Sequence, residues 1–182
     1  MRRIIIILFF TVINIINIYG RGYSGDIEIV PDSLSMVSRV KADEVLLYFD
    51  TLKSPKLLYS VLDTYYYVIV RDEKEYIEYY LMTDSVSKIT EVRLLTRTKR
   101  DNKDLSQIKP FELQKYHSGF ITEMPDAVYI RGYSSYFVIK DEKGKRYGEF
   151  SLAELTIPIP IDGNLHGYLF RRLHEQRSGK KE

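Results

Sequence analysis

Asp162 and His166 are the residues of this chain whose types and spacing come closest to acid–base chemistry. They lie in Asp162-Gly163-Asn164-Leu165-His166-Gly167, a loop-like run that can set a carboxylate beside an imidazole. A small hydrolase needs such a pair within hydrogen-bond reach, one group moving the proton and the other orienting it. A turn made of Asp, Gly and Asn accounts for the same residues without any chemistry. The other histidines, His117 and His174, form no i,i+4 pair with His166 or with each other, and no His-Glu-x-x-His run exists. With no cysteine in the chain, thiolate nucleophiles, thiolate zinc and iron–sulfur chemistry are excluded, and no metal site is expected. Neither a Gly-x-Ser-x-Gly elbow, a P-loop nor a dinucleotide fingerprint is present, so no cofactor is expected either.

Tyrosine is the strongest compositional bias, with 16 in the chain and no tryptophan. Six of them, Tyr65, Tyr66, Tyr67, Tyr76, Tyr79 and Tyr80, crowd one expected hairpin. In the run 75–83 one face carries Ile77, Tyr79 and Leu81, and the other carries Tyr76, Glu78 and Tyr80. Rings and an acid on one face suit a protein or glycan partner. Tyrosine packed on half-buried strands is the plainer explanation.

These residues need elements to hold them. Ala42, Val45, Leu46, Phe49 and Leu52 repeat at helical spacing, while 32–40 stays open between strand and helix. Ser54-Pro55 followed by Leu57, Leu58, Val61 and Leu62 predicts a second short helix. Residues 64–71, 75–83 and 88–97 read as strands, 100–104 as a charged loop and 110–116 as a short helix. Strands are expected again at 127–131, 136–141 and 146–151, with Gly144 in the last hairpin turn. Ser151-Leu152-Ala153-Glu154 has capping-box spacing and predicts one helical turn; 165–173 reads as a last strand. A helix followed by three strands thus occurs twice, at 42–97 and 110–151, without residue-level similarity between the halves.

The N-terminus supplies an address. Met1-Arg2-Arg3 precedes Ile4 to Tyr19, broken only by Thr11, Asn14 and Asn17, and then Gly20. A basic head, an apolar stretch and a small terminal residue predict a signal peptide over 1–20, cut between Gly20 and Arg21. The stretch is shorter than the roughly 20 residues of a membrane span. If uncut, it makes the protein a membrane-anchored scaffold. Once Arg2 and Arg3 are removed, 25 basic residues balance 25 acidic ones. A nucleic-acid partner, which needs a cationic footprint, is therefore not expected. A cysteine-free exported chain suits a bacterial envelope, whether periplasm, cell surface or medium, better than a eukaryotic secretory route.

The chain is therefore expected to divide into a signal peptide (1–20), a flexible leader (21–25), one α+β domain (26–173) and a polar tail (174–182). The domain should hold a mainly antiparallel, twisted sheet of about six to eight strands with two or three short helices on one face. Residues 26–30 read as a short edge strand ended by Pro31. The expected role is a non-catalytic module of the cell envelope that binds a protein or glycan partner. A small hydrolase using Asp162 and His166 is the alternative.

Overall fold

Period-two runs of aromatic and β-branched residues build the centre of the molecule, and helices close it from both sides. The computed structural model describes residues 33–73, 75–124, 127–130 and 133–179. The expected signal peptide, the Gly20–Arg21 junction, the leader and the 26–30 strand lie outside the described residues.

Ser33–Leu47 forms helix α1, which starts well before Ala42 and ends before Leu52 in a turn. Lys56–Val61 is strand β1, which corrects the second helix expected from Ser54-Pro55. Leu57, Leu58 and Val61 fit a helical face, but Tyr59 and Ser60 between them are buried too. A six-residue run buried on both faces is a central strand, and so short a run leaves periodicity undecided. Leu62 and Asp63, both at positive φ, turn the chain back. Tyr65–Asp72 (β2), Glu75–Thr83 (β3) and Ile89–Leu95 (β4) follow where the alternation places them.

Lys99–Ile108 is helix α2 where a charged loop was expected. Thr98 Oγ1 accepts from the Asp101 backbone N–H, and the Asp101 carboxylate accepts from Thr98 N–H, a complete capping box. Only Leu105 among its apolar residues is buried, so the apolar pattern was too sparse to announce it. The helix expected at 110–116 shrinks to a 3₁₀ turn at Leu113–Lys115.

Strands Val128–Ile130 (β5), Ser135–Lys140 (β6), Arg146–Leu152 (β7) and Leu155–Ile157 (β8) complete the sheets. Ser151 and Leu152 end β7, so no helical turn forms at 151–154. Gly144 takes a φ of 79° in the β6–β7 turn, as a tight hairpin requires.

Gly163–Arg177 is helix α3, which replaces the strand expected at 165–173 and carries helix into the supposed polar tail. Leu165, Tyr168, Leu169, Arg172 and Leu173 are its buried residues, spaced as one helical face.

The main sheet runs β4-β3-β2-β1-β6-β7, antiparallel throughout, and β5 pairs with β8 apart from it. Four strands follow α1 and four more, β5 to β8, follow α2, so each half sets a helix before four strands instead of the expected three. Leu58, Tyr66, Val68 and Val138 meet Ala42, Val45 and Leu46 of α1 on one face. Leu57, Tyr59, Ile69 and Phe137 meet Leu165, Leu169 and Leu173 of α3 on the other. The architecture is a single α+β domain, with its helices divided between the two faces instead of gathered on one. Each buried Leu, Ile, Val or Phe side chain contributes roughly 1.5–3 kcal/mol, so both layers are held firmly. Among the described residues, no helix is long and apolar enough to cross a membrane.

Candidate functional site

The N-terminus of α3 places the residues singled out from sequence. Asp162 is its N-cap: Oδ1 accepts from Asn164 N–H at 2.9 Å and Leu165 N–H at 3.0 Å. An Asp here satisfies donors that the helix leaves open and meets the positive end of its dipole. His166 follows one turn on, and its backbone N–H donates to the Asp162 carbonyl at 2.9 Å. The side chains diverge. His166 Nε2 lies 3.2 Å from the Tyr59 hydroxyl, with the two rings edge to face. Burial lowers its pKa from 6.5 to about 4, so the imidazole is neutral at pH 7. The structure thus puts Asp162 on the backbone and His166 against the sheet, without the contact an acid–base pair requires.

The tyrosine hairpin turns inward as well. Glu78 and Tyr80 are 1% and 2% exposed. Tyr80 lies under the Arg93 guanidinium, 4.4 Å from its ring centroid, and Tyr76 stacks on Phe111 at 5.9 Å. Glu78 accepts from Tyr168 Oη at 2.6 Å and pairs with Arg172 Nη2 at 2.8 Å. The face that sequence offered as an open platform is covered by α3.

The other histidines are structural in setting. His117 Nδ1 lies 2.9 Å from the Gly119 carbonyl, and burial lowers its pKa. His174 is exposed and stacks on Phe170. No group of three or more His, Cys, Asp or Glu among the described residues is arranged to hold a metal ion.

A cavity of about 710 Å³ opens between α2, α3 and the stretch from Lys115 to His117. Its volume is in the range of small-molecule sites. The capping box orients α2 so that Asp104 and Gln107 face it; the Asp162 cap orients α3 so that Asn164, Gly167 and Arg171 do. Tyr116, which donates from Oη to the Pro110 carbonyl at 2.8 Å, and Ile161 supply the apolar part of the lining.

Most of the charge in this lining is already engaged. Arg171 reaches Asp101 at 2.9 Å, Glu175 at 3.0 Å and Asp104 at 3.2 Å. Burial raises the Asp101 pKa, but hydrogen bonds from Thr98 and Arg171 outweigh it and hold the carboxyl below its usual range. Lys115 pairs with Glu112 at 2.5 Å. By contrast, the side-chain amides of Gln107 and Asn164 make no hydrogen bond among the described residues. Among the described residues, the lining contains no serine, threonine or cysteine.

Gly167 is the most telling member. A helix-interior glycine costs about 1 kcal/mol relative to alanine. Here a Cβ would meet nothing within 4 Å, so packing does not demand the glycine. Of the cavity residues, Asp162 was offered from sequence as half of an acid–base pair and His117 was weighed as a metal ligand; Asn164, Gly167 and Arg171 were given no role in a ligand site. The signal that would have found them is the spacing Leu165, Tyr168, Leu169, Arg172, Leu173, which fixes α3 and turns Asn164, Gly167 and Arg171 to its other side. No family model matches the chain, and neither a curated protein nor a solved structure is similar to it.

Proposed function

We propose that this chain is an exported, non-catalytic binding module of a bacterial envelope that holds a glycan ligand in the cavity between α2 and α3. Gly167 carries this reading: a helix keeps a costly glycine where it opens onto a cavity flanked by uncommitted amides. Paired donor–acceptor amides are what sugar hydroxyls require, and the Tyr116 and Ile161 side chains offer apolar contact beside them. The use of Asp162 as a helix cap, and the pairing of Asp104 with Arg171, favour binding over hydrolysis. Export is supported by the basic-then-apolar N-terminus and the cysteine-free composition.

The test is a panel of envelope glycan fragments against the wild-type chain and Gly167→Leu, by thermal shift and then calorimetry. The introduced isobutyl side chain fills the space above the helix, so binding should fall at least about tenfold while the fold persists. Binding that survives this substitution, or turnover that is lost in a folded His166→Ala variant, overturns the reading. Intact mass from fractionated cells tests export: a chain starting at Arg21 outside the cytoplasm is expected, and full-length chain in the membrane fraction contradicts it.

A further inference from the structure

Helix α1 is apolar on two opposite faces. Ala42, Val45 and Leu46, with Phe49 just beyond the helix, are buried against the sheet. On the other side Met36, Val37, Val40 and Leu47 are exposed, Val40 at 53% and Leu47 at 63%. Tyr48, in the turn that follows, extends this exposed face. Ser87, in the turn between β3 and β4, joins Met36, Val37, Val40, Lys41 and Glu44 in a groove of about 320 Å³. Val86 beside it is 79% exposed. A helix that is apolar all round belongs in an interior, and a contiguous exposed apolar face marks a contact surface.

We propose that this face packs on the same face of a second copy of the chain, with the two α1 helices antiparallel about a two-fold axis level with Ala42. Two observations select a second copy. The first is charge. Lys41 and Glu44 lie within the apolar face, and neither side chain makes an ion pair or hydrogen bond among the described residues. The two-fold sets Lys41 of each copy beside Glu44 of the other, so the face complements itself.

The second is spacing. Val37, Val40, Glu44 and Leu47 are three, four and three residues apart, the pattern of a helix–helix seam, and Met36, Lys41 and Tyr48 flank it. In the proposed register Val37 meets Leu47 of the second copy, and Met36 meets its Tyr48. Sliding the helices by one turn sets Glu44 against its own counterpart in one direction and against Met36 in the other. A charged residue in an otherwise apolar seam fixes register in this way, at a cost in stability. The seam is short, so the pair exchanges with free monomer. The cavity between α2 and α3 lies across the sheet, so pairing leaves it open in both copies.

Sedimentation of the full chain tests the pair. The wild type should run as a dimer at about 100 μM and shift towards monomer on dilution. Lys41→Glu gathers four acids at the seam and Glu44→Lys gathers four bases; each should weaken dimerisation at least about tenfold. The double variant Lys41→Glu/Glu44→Lys restores the opposite charges and should return to within about threefold of the wild type. Both positions face away from the core, so urea unfolding at low concentration should show all three variants folded. A wild-type chain that stays monomeric at about 100 μM overturns the proposal, since another segment or another protein then covers the face. So does a dimer that neither single change weakens, or a double variant that recovers nothing.

Discussion

Glu78 and Glu149 enter the core from opposite faces of the sheet, and each meets a tyrosine hydroxyl and an arginine from the helix above it. Glu78 takes Tyr168 and Arg172 of α3; Glu149 takes Tyr136 at 2.5 Å and Arg39 of α1 at 2.7 Å. Such pairs fix the position of a helix more than they add net stability, because desolvation offsets much of the attraction. Removing one partner is another matter. Arg172→Leu should cost about 3–5 kcal/mol in urea unfolding, since it leaves the Glu78 carboxylate buried with one hydrogen bond. A double-mutant cycle with Glu78→Leu should return at least about 1 kcal/mol of coupling. His166 makes a pH prediction. Its folded pKa, about 4, lies below the ordinary 6.5, so between these values the unfolded chain binds a proton that the folded chain refuses. Its contribution is complete above pH 6.5 and is lost as pH falls towards 4. The wild type should lose stability there by up to ~1.4 kcal/mol per pH unit more than His166→Gln. Identical pH profiles for the two would contradict a neutral, buried imidazole.

At the scale of elements, caps and glycines place the cavity. Asp162→Ala should destabilise by about 1 kcal/mol, whereas Asp162→Asn, which still caps, should change stability by less than about 0.5 kcal/mol. A hydrolytic acid would not tolerate the second change in an activity assay. Gly167→Ala should stabilise by about 0.5–1 kcal/mol, because a Cβ there meets open space. Gly148 is the opposite case: φ is 61° and a Cβ would come within 2.8 Å of Tyr116 and 3.1 Å of Phe137. Gly148→Ala should cost about 2 kcal/mol or more in the same measurement. Strands β2, β3, β6 and β7 were legible in sequence because their aromatic and β-branched runs are bounded by turn residues. β1 was not, because Leu57, Leu58 and Val61 suit either period over six residues. α2 was hidden by its charges, although Thr98-x-x-Asp101 was there to be read. α3 was mistaken for a strand because Asp162-Gly163-Asn164 looks like a turn, and Asp, Gly and Asn serve a helix start equally well.

For the whole molecule, the α+β class and the antiparallel sheet followed from composition and period, but the distribution of helices did not. Burial of both faces of β2 and β6 was visible in their apolar runs, and it demands a cover on each side. What supplies the covers depends on where α1 and α3 cross the sheet, which is set by long-range pairs such as Arg39–Glu149 and Arg172–Glu78 that no local pattern announces. The candidate site follows the same rule. Asp162 could be singled out alone, while Gln107 of α2 and Asn164 of α3, 57 positions apart in the chain, come together only in the fold. The measurement that tests the site most directly is backbone and side-chain amide mapping by NMR, with the strongest-binding glycan fragment titrated into the labelled chain. Shifts should concentrate on Gln107, Asn164, Gly167 and Tyr116. Shifts centred on Tyr76, Glu78 and Tyr80, or a spectrum unchanged by every fragment of the panel, would contradict a ligand site between α2 and α3.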